Sequence, residues 1–223
     1  KNNKIVFDLD FKDITIDSLV MSHKNEEIRL SGEMRDSTYK DFKMEFDEVD
    51  IGKITPHVDS LRLAGTLNGK LDLLQENGAY YPNTDLRIDS LNINDNLLGN
   101  LVLNVEGNET LTNYGINANL RKNGHESLNA IGNIDVSGSE PSIDMDVDLE
   151  DLNLAAFSPL GGEVISNIRG AASGNAKVAG NYKNPDFSGN ISLENAGLKI
   201  PYLNVDLAFN DAAVVNLNQQ EFI

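Results

Sequence analysis

The segment LRLAGTLNGKLDL, residues 61–73, decides the fold class. Leucine or glycine occupies every odd position, and all but one of the even positions between them are polar. Side chains that alternate with a period of two lie on opposite faces of a β-strand, so this segment predicts a strand with one apolar and one polar face. The same alternation recurs in residues 5–11, 42–46, 101–105, 143–149 and 203–209.

Turn signals separate these segments: Lys24-Asn25, Asn77-Gly78, Asn123-Gly124, Gly138-Ser139 and Asn184-Pro185. Short connections of this kind join antiparallel neighbours. We therefore predict an all-β protein with a largely antiparallel sheet.

The sequence also contains an internal repeat of two similar copies. Matching anchors stand 100 to 105 positions apart: Gly32 and Gly132, Met44 and Met145, Gly65 and Gly170, Gly69 and Gly174, Ile88 and Leu193. Such self-similarity indicates a tandem array. We assign residues 1–110 to a first β-repeat unit and residues 111–223 to a second.

Two short segments interrupt the alternation. Ser158-Pro159 predicts an N-cap followed by proline at the first helical position. Apolar residues then recur at helical spacing at Leu160, Val164, Ile165 and Ile168. Thr55-Pro56 stands at the equivalent place in the first copy, followed by Val58 and Leu61. We expect one or two short helices.

Composition excludes several functions. The chain has 223 residues, of which 40% are hydrophobic and 24% charged, which predicts a folded protein. A net charge of -17 argues against nucleic acid as a partner. The absence of cysteine excludes disulfides and thiolate chemistry, and it is compatible with an oxidising envelope compartment. The chain begins and ends within strand patterns, so we expect it to be part of a longer protein.

Catalytic signals are missing from the sequence. The acidic run Asp144, Asp146 and Asp148 has a spacing of two, which predicts one solvated strand face, and it lacks the glycine of a calcium loop. No G-x-S-x-G, P-loop or dinucleotide fingerprint is present. We expect no enzymatic activity, no cofactor and no metal site, since the histidines are far apart and lack ligands at metal spacing: His23, His57 and His125.

Three arrangements could cover the apolar faces. A two-sheet sandwich would close them on each other. A membrane barrel would turn them toward lipid, but it requires aromatic girdles, and only 6% of this chain is aromatic with no tryptophan. A sheet curled on itself would leave an apolar trough, and tandem units favour such elongation over a compact sandwich.

Residues 168–211 carry a family resemblance. Their hallmarks are the G-x-x-x-G of Gly170 and Gly174, the Gly180 turn, the connection at residues 184–189, the Asn195-Ala196-Gly197 step and Pro201-Tyr202. This ordered set, with DLEDLNLAAFSPL at residues 148–160, resembles the AsmA-like envelope family of TamB, the translocation-and-assembly-module protein, in its Bacteroidetes form. The first copy resembles it more loosely, and no catalytic residue is carried over.

The resemblance implies an elongated, twisted β-taco, a curled sheet whose interior is an apolar groove. It implies a periplasmic location, tethered to the inner membrane by a segment outside this chain. It also implies a barrel-assembly partner of the BamA/TamA type in the outer membrane, reached through regions outside this chain. The expected function is a lipid-transport bridge that shields phospholipid acyl chains between the two membranes and supports outer-membrane protein assembly.

A continuous groove through both units would be lined by the apolar rows, and the expected lining residues are Phe7, Leu9, Leu30, Met44, Phe46, Leu61, Leu63, Leu67, Leu71, Leu73, Ile88, Ile93, Leu101, Leu103, Val105, Ile143, Met145, Val147, Leu149, Ile191, Leu193, Leu198, Ile200, Leu203, Val205, Leu207 and Phe209. The alternative is a closed β-repeat spacer or adhesin-like stalk that holds no lipid. An esterase or glycosidase is a more distant alternative.

Overall fold

The computed structural model describes residues 3–10, 12–36, 38–55, 61–76, 79–108, 110, 112–209 and 212–218. The chain is 75% strand and 7% helical, which confirms the all-β prediction. The fourteen strands are β1 (Lys4–Phe7), β2 (Asp13–His23), β3 (Glu26–Arg35), β4 (Tyr39–Asp50), β5 (Leu63–Glu76), β6 (Ala79–Ile93), β7 (Asn96–Gly107), β8 (Asn113–Lys122), β9 (His125–Asp135), β10 (Ser142–Asn153), β11 (Ser166–Asn181), β12 (Asp186–Ile200), β13 (Val205–Ala208) and β14 (Ala213–Leu217).

All these strands belong to one open antiparallel sheet. The spatial order from β1 to β13 is the order in the chain, and β14 pairs with β12 beside β13. The predicted antiparallel pairing is therefore confirmed. At about 4.8 Å between neighbours, thirteen strands in single file extend over about 58 Å.

Tight turns connect most of the strands. The predicted Asn123-Gly124 turn joins β8 to β9 with φ of 52° and 84°, the conformation that two-residue hairpins favour. Asn94-Asp95 makes a similar turn between β6 and β7, with φ of 52° and 64°. The predicted Asn77-Gly78 turn lies outside the described residues.

Bulges keep the apolar side chains on one face. The pairing register shifts between residues 46 and 49 in β4, between 88 and 91 in β6 and between 149 and 152 in β10. Each of these shifts includes an extra residue with positive φ: Glu48, Ser90 and Asp151. Each extra backbone N–H donates at 2.9 Å to a side chain of the next strand, and the acceptors are Asn68, Asn100 and Ser173. An extra residue reverses the alternation, so the apolar positions beyond each bulge return to the same face.

Two short helices follow bulged strands at equivalent places in the two copies. Helix α1 (Ile51–Ile54) follows β4, and the 3-10 helix η1 (Leu154–Gly161) follows β10. Asp50 and Asn153 cap them, each accepting at 3.0 Å from the backbone N–H two residues later. The expectation of short helices is confirmed.

The predicted start at Ser158-Pro159 was wrong, because η1 begins at Leu154 and already contains Pro159. The Ser158 hydroxyl instead accepts from the Ile168 N–H at 2.9 Å. In the first copy α1 ends before Thr55-Pro56, and Pro56 and Val58 lie outside the described residues. A further 3-10 turn, η2 (Pro201–Leu203), separates β12 from β13.

The sheet is repeat-like, since β2 to β6 with α1 follow the same order as β8 to β12 with η1. The predicted division at residues 110 and 111 falls between β7 and β8 and stays a prediction. Residue 111 lies outside the described part of the chain.

The core cluster of the described residues lies where the short helices meet the sheet. Its buried members are Val49, Ile51, Leu67, Leu91, Leu98, Leu120, Leu152 and Ala156. The accessible surface of the whole chain is 14086 Å², whereas a compact monomer of this mass exposes about 10,000 Å². The sheet is therefore largely a single layer.

Candidate functional site: the apolar face of the sheet

Strand register joins the apolar positions into continuous rows. One apolar row crosses the core cluster. It has one residue on each of ten paired strands: Val49, Leu67, Ile88, Leu101, Leu120, Leu128, Leu149, Gly174, Ile191 and Val215. A second row runs beside it: Ile28, Phe46, Gly69, Leu86, Leu103, Ala118, Ala130, Val147, Ala176, Gly189 and Leu217. We call the side of the sheet that carries these rows the apolar face.

Glycine in these rows reflects close approach of backbones. Gly174 has φ of +137°, and a Cβ at this position would lie 2.2 Å from the carbonyl oxygen of Asn190 on β12. Gly69, 105 positions earlier, is equally tight, with the Asp85 carbonyl 2.1 Å from its Cβ position. Only glycine permits this geometry, so the two copies share a backbone constraint.

Most of the predicted lining residues lie on the apolar face. Those in its strands are Phe7, Leu30, Met44, Phe46, Leu63, Leu67, Leu71, Leu73, Ile88, Ile93, Leu101, Leu103, Val105, Ile143, Met145, Val147, Leu149, Ile191, Leu193, Leu198, Ile200, Val205 and Leu207. Leu61 forms an isolated bridge ahead of β5.

Three further predicted lining residues lie outside the strands. Leu9 is 100% exposed in the turn after β1, where the Asp8 carboxylate accepts the backbone N–H groups of Lys12 and Asp13 and so reverses the chain. Leu203 belongs to η2, and Phe209 follows the end of β13. The alternation of apolar residues predicted strands at these three positions, because it gives no indication of the turns.

The apolar face is only partly covered. In β10 the four predicted residues Ile143, Met145, Val147 and Leu149 are all half-buried, and none is buried. Their neighbours Asp144, Asp146 and Asp148 on the other face are exposed. A second layer of protein would bury the four apolar side chains, so along β10 this face is open.

One end of the face, which we call the helix end, is closed by α1 and η1. Ala156 of η1 has no exposed surface, and Leu67 is only 6% exposed. Leu67 was predicted to line an open surface, but its side chain lies within the core cluster. Beside α1 is a cavity of about 160 Å³ with mostly apolar walls, including Met21, Ile28 and Ile54.

An ion pair fastens α1 to the β2–β3 turn. The Lys53 ammonium lies 2.5 Å from a Glu26 carboxylate oxygen. This hydrogen bond lowers the pKa of Glu26 and raises the pKa of Lys53. Both side chains reach solvent, so the pair positions the helix more than it stabilises the fold.

The opposite end of the face is more polar. Gln75 is 6% exposed and shares the face with Leu71 and Leu73, and its Oε1 has no hydrogen-bond partner. Lys40 is its register partner on β4 and is half-buried. Sequence analysis missed both residues because it followed only apolar letters, although the alternation through Leu71 and Leu73 continues to position 75.

Tyr114 is buried at the same end of the sheet. Its ring centroid lies 6.3 Å from that of Tyr81. Burial raises the pKa of Tyr114, and Tyr81 raises it further. An aromatic residue with a polar hydroxyl suits a boundary between apolar and polar surroundings.

Part of the acidic run on the polar face forms cross-strand ion pairs. Lys177 contacts Asp144 at 2.5 Å and Asp146 at 3.7 Å. Within the described ranges, no group of three or more histidine or acidic residues is placed to hold a metal ion. None of the helices described is long and apolar enough to cross a bilayer.

Comparison with family models, curated proteins and solved structures finds no match to this chain.

Proposed function

We propose that this chain is a segment of a lipid-transport bridge of the bacterial envelope, related to TamB, in which the apolar face forms a groove for phospholipid acyl chains. The observation that supports it most is the second apolar row, from Ile28 to Leu217, which continues through eleven paired strands and is half-buried at every position except Ala130. A sealed spacer would bury such a row completely.

A contact between distant strands supports a curled sheet. The Asn94 side chain, in the β6–β7 turn, donates at 2.9 Å to the carbonyl oxygen of Ala156. Ala156 lies only three residues beyond β10. In a flat sheet β6 and β10 would lie about 19 Å apart, since four spacings of about 4.8 Å separate them. Curvature toward the apolar face shortens that gap and favours a trough.

The energetics explain why a groove would transport lipid. Each methylene group exposed to water costs about 0.8 kcal/mol, so a sixteen-carbon chain crossing an aqueous gap unprotected would face about 12 kcal/mol. Apolar side chains such as Leu103, Val147 and Ile191 contact hydrocarbon without directional bonds. An acyl chain could therefore move from one strand to the next without losing a specific contact.

The cellular setting follows from the resemblance. We place the protein in the periplasm, tethered to the inner membrane by a segment outside this chain and directed toward a BamA/TamA-type partner. The exposed carboxylates of the polar face, among them Asp144 and Asp148, suit contact with water. In this setting the bridge supports assembly of outer-membrane proteins by supplying phospholipid.

Photo-crosslinking tests the proposal at adjacent residues. A photoreactive amino acid at Val147 would face the groove, whereas one at Asp148 would face solvent; both positions lie in the middle of β10. After purification from bacterial membranes and irradiation, mass spectrometry should find phospholipid adducts at position 147 and none at 148.

Organic extraction of the same preparation should recover phospholipid in stoichiometric amount. Failure to recover it, together with equal or absent labelling at the two positions, would reject the groove and favour a closed stalk.

A further inference from the structure

Two polar residues occupy the end of the apolar face opposite the helices. Lys40 and Gln75 are register partners on β4 and β5, so their Cβ atoms lie about 5 Å apart on the same face. Phe42 and Leu73 form the next pair toward the helix end. A cation and an amide therefore interrupt the apolar face on β4 and β5, whereas Met34 and Ile14 continue it on β3 and β2.

Gln75 carries an unmet hydrogen-bonding requirement. Only 6% of the residue is exposed, and its Oε1 is buried without a hydrogen-bond partner. A buried acceptor without a donor is unfavourable, whereas leucine could fill the same volume at no such penalty. Lys40 does not satisfy this acceptor, and its ammonium group forms no ion pair with the described residues.

We propose that Lys40 and Gln75 bind the headgroup of a phospholipid whose acyl chains extend toward α1. The inference rests on the proposed function. The Lys40 ammonium contacts the phosphate. Gln75 Oε1 is buried without the ligand, so the Gln75 side chain turns toward the face to accept a hydrogen bond from an N–H or O–H group of the headgroup. Each group then has the partner that the protein itself does not provide.

The dimensions of the face fit this orientation. Six residue steps of β4 lead from Lys40 to Phe46, which is about 20 Å of extended chain, and Phe46 pairs with Ile28 of the cavity wall. One leaflet of a bilayer is about 15 Å deep in hydrocarbon. Acyl chains that start at Lys40 would therefore end about 5 Å before the apolar cavity of about 160 Å³ beside α1.

The preferred headgroup must carry a hydrogen-bond donor, because Gln75 Oε1 is an acceptor. Ethanolamine and glycerol headgroups carry N–H or O–H donors, whereas the quaternary ammonium of choline carries none. The site should therefore prefer phosphatidylethanolamine and phosphatidylglycerol to phosphatidylcholine. One hydrogen bond to a buried acceptor is worth about a five-fold preference.

The test uses the full chain, delipidated and then loaded from vesicles with equal amounts of the three lipids. Bound lipid is quantified by mass spectrometry. We expect about a five-fold enrichment of the two donor-bearing headgroups over phosphatidylcholine. Gln75→Leu should abolish the enrichment while total bound phospholipid stays unchanged.

Lys40→Met should lower binding of all three lipids by about five-fold, because each carries the phosphate. Lys43→Met is the matched control, since Lys43 lies three residues away, pairs with Asp72 and belongs to the polar face. It should bind like the unaltered protein. Circular dichroism establishes that each variant is folded.

The outcomes separate the two proposals. If the unaltered chain binds phospholipid without headgroup preference, or if Gln75→Leu keeps the preference, headgroup recognition by this pair is wrong and the groove stands. If the unaltered chain binds no phospholipid, the proposed function fails and this inference fails with it.

Discussion

Two leucines of the apolar face should differ in their contribution to stability. Leu120 is 4% exposed within the core cluster, whereas Leu103, which pairs with Ala118 two residues away, is half-buried. Truncation to alanine removes three carbon atoms. At Leu120 the loss of about 2.4 kcal/mol of transfer free energy plus a cavity term gives about 3 kcal/mol. At Leu103 the open side leaves no cavity, and we expect about 1 kcal/mol.

Thermal unfolding of the delipidated protein, followed by circular dichroism, measures the difference. For a chain of this size, about 3 °C per kcal/mol predicts that Tm falls by about 9 °C for Leu120→Ala and about 3 °C for Leu103→Ala. Equal decreases near 9 °C would show that the face is sealed and refute the reasoning. In lipid-loaded protein the decrease for Leu103→Ala should grow, because the acyl chain would then cover that side chain.

Two further predictions concern a glycine and an ion pair. Gly174→Val should lower the free energy of unfolding by more than about 3 kcal/mol, because φ of +137° and the Asn190 carbonyl leave no room for a side chain. In urea titrations the control Gly115→Val should lose much less, because only the Glu106 carbonyl oxygen lies near its Cβ position, at 3.8 Å. Glu26 has a lowered pKa because of Lys53, so its contribution to stability is complete above the ordinary carboxyl pKa and disappears as pH falls through the lowered value. Lys53→Met should raise that pKa in an NMR titration, and an unchanged pKa would mean that the pair does not form in solution.

Much of the fold follows from the sequence. Alternation in residues such as Ile143, Met145 and Val147 identified strands and assigned their faces, because a strand has a fixed period of two. Short turns such as Asn123-Gly124 indicated antiparallel neighbours. The repeat of Gly69 as Gly174 marks a backbone constraint that both copies share.

The remainder depends on local geometry that alternation does not encode. A bulge at Glu48 shifts the pattern by one residue, so Phe46 and Val49 share a face although their spacing of three suggests otherwise. Helix η1 starts at an asparagine cap rather than at the proline, because a 3-10 helix tolerates Pro159 inside it. The bulge and the start of the helix could be located only from the backbone dihedral angles of the structure.

The candidate site was predictable in part. Rows of leucine and valine are visible in the sequence, whereas their alignment across strands depends on register. Leu67 is the clearest example: its position in the row was predicted, but its burial by the core cluster depends on α1, which alternation did not place. Gln75 could not be identified from the sequence, because a polar residue on an apolar face indicates a site only when the structure shows that it is buried.

The agreement between strand order and chain order has a consequence for biogenesis. From β1 to β13, each strand pairs with the one synthesised just before it. Loop closures are therefore short, and folding can advance from the N-terminus as the polypeptide emerges, with only one edge awaiting the next hairpin. Adding or deleting a hairpin would change the span by about 9.6 Å without disturbing any other pairing. Length can thus evolve in small steps while the topology is preserved.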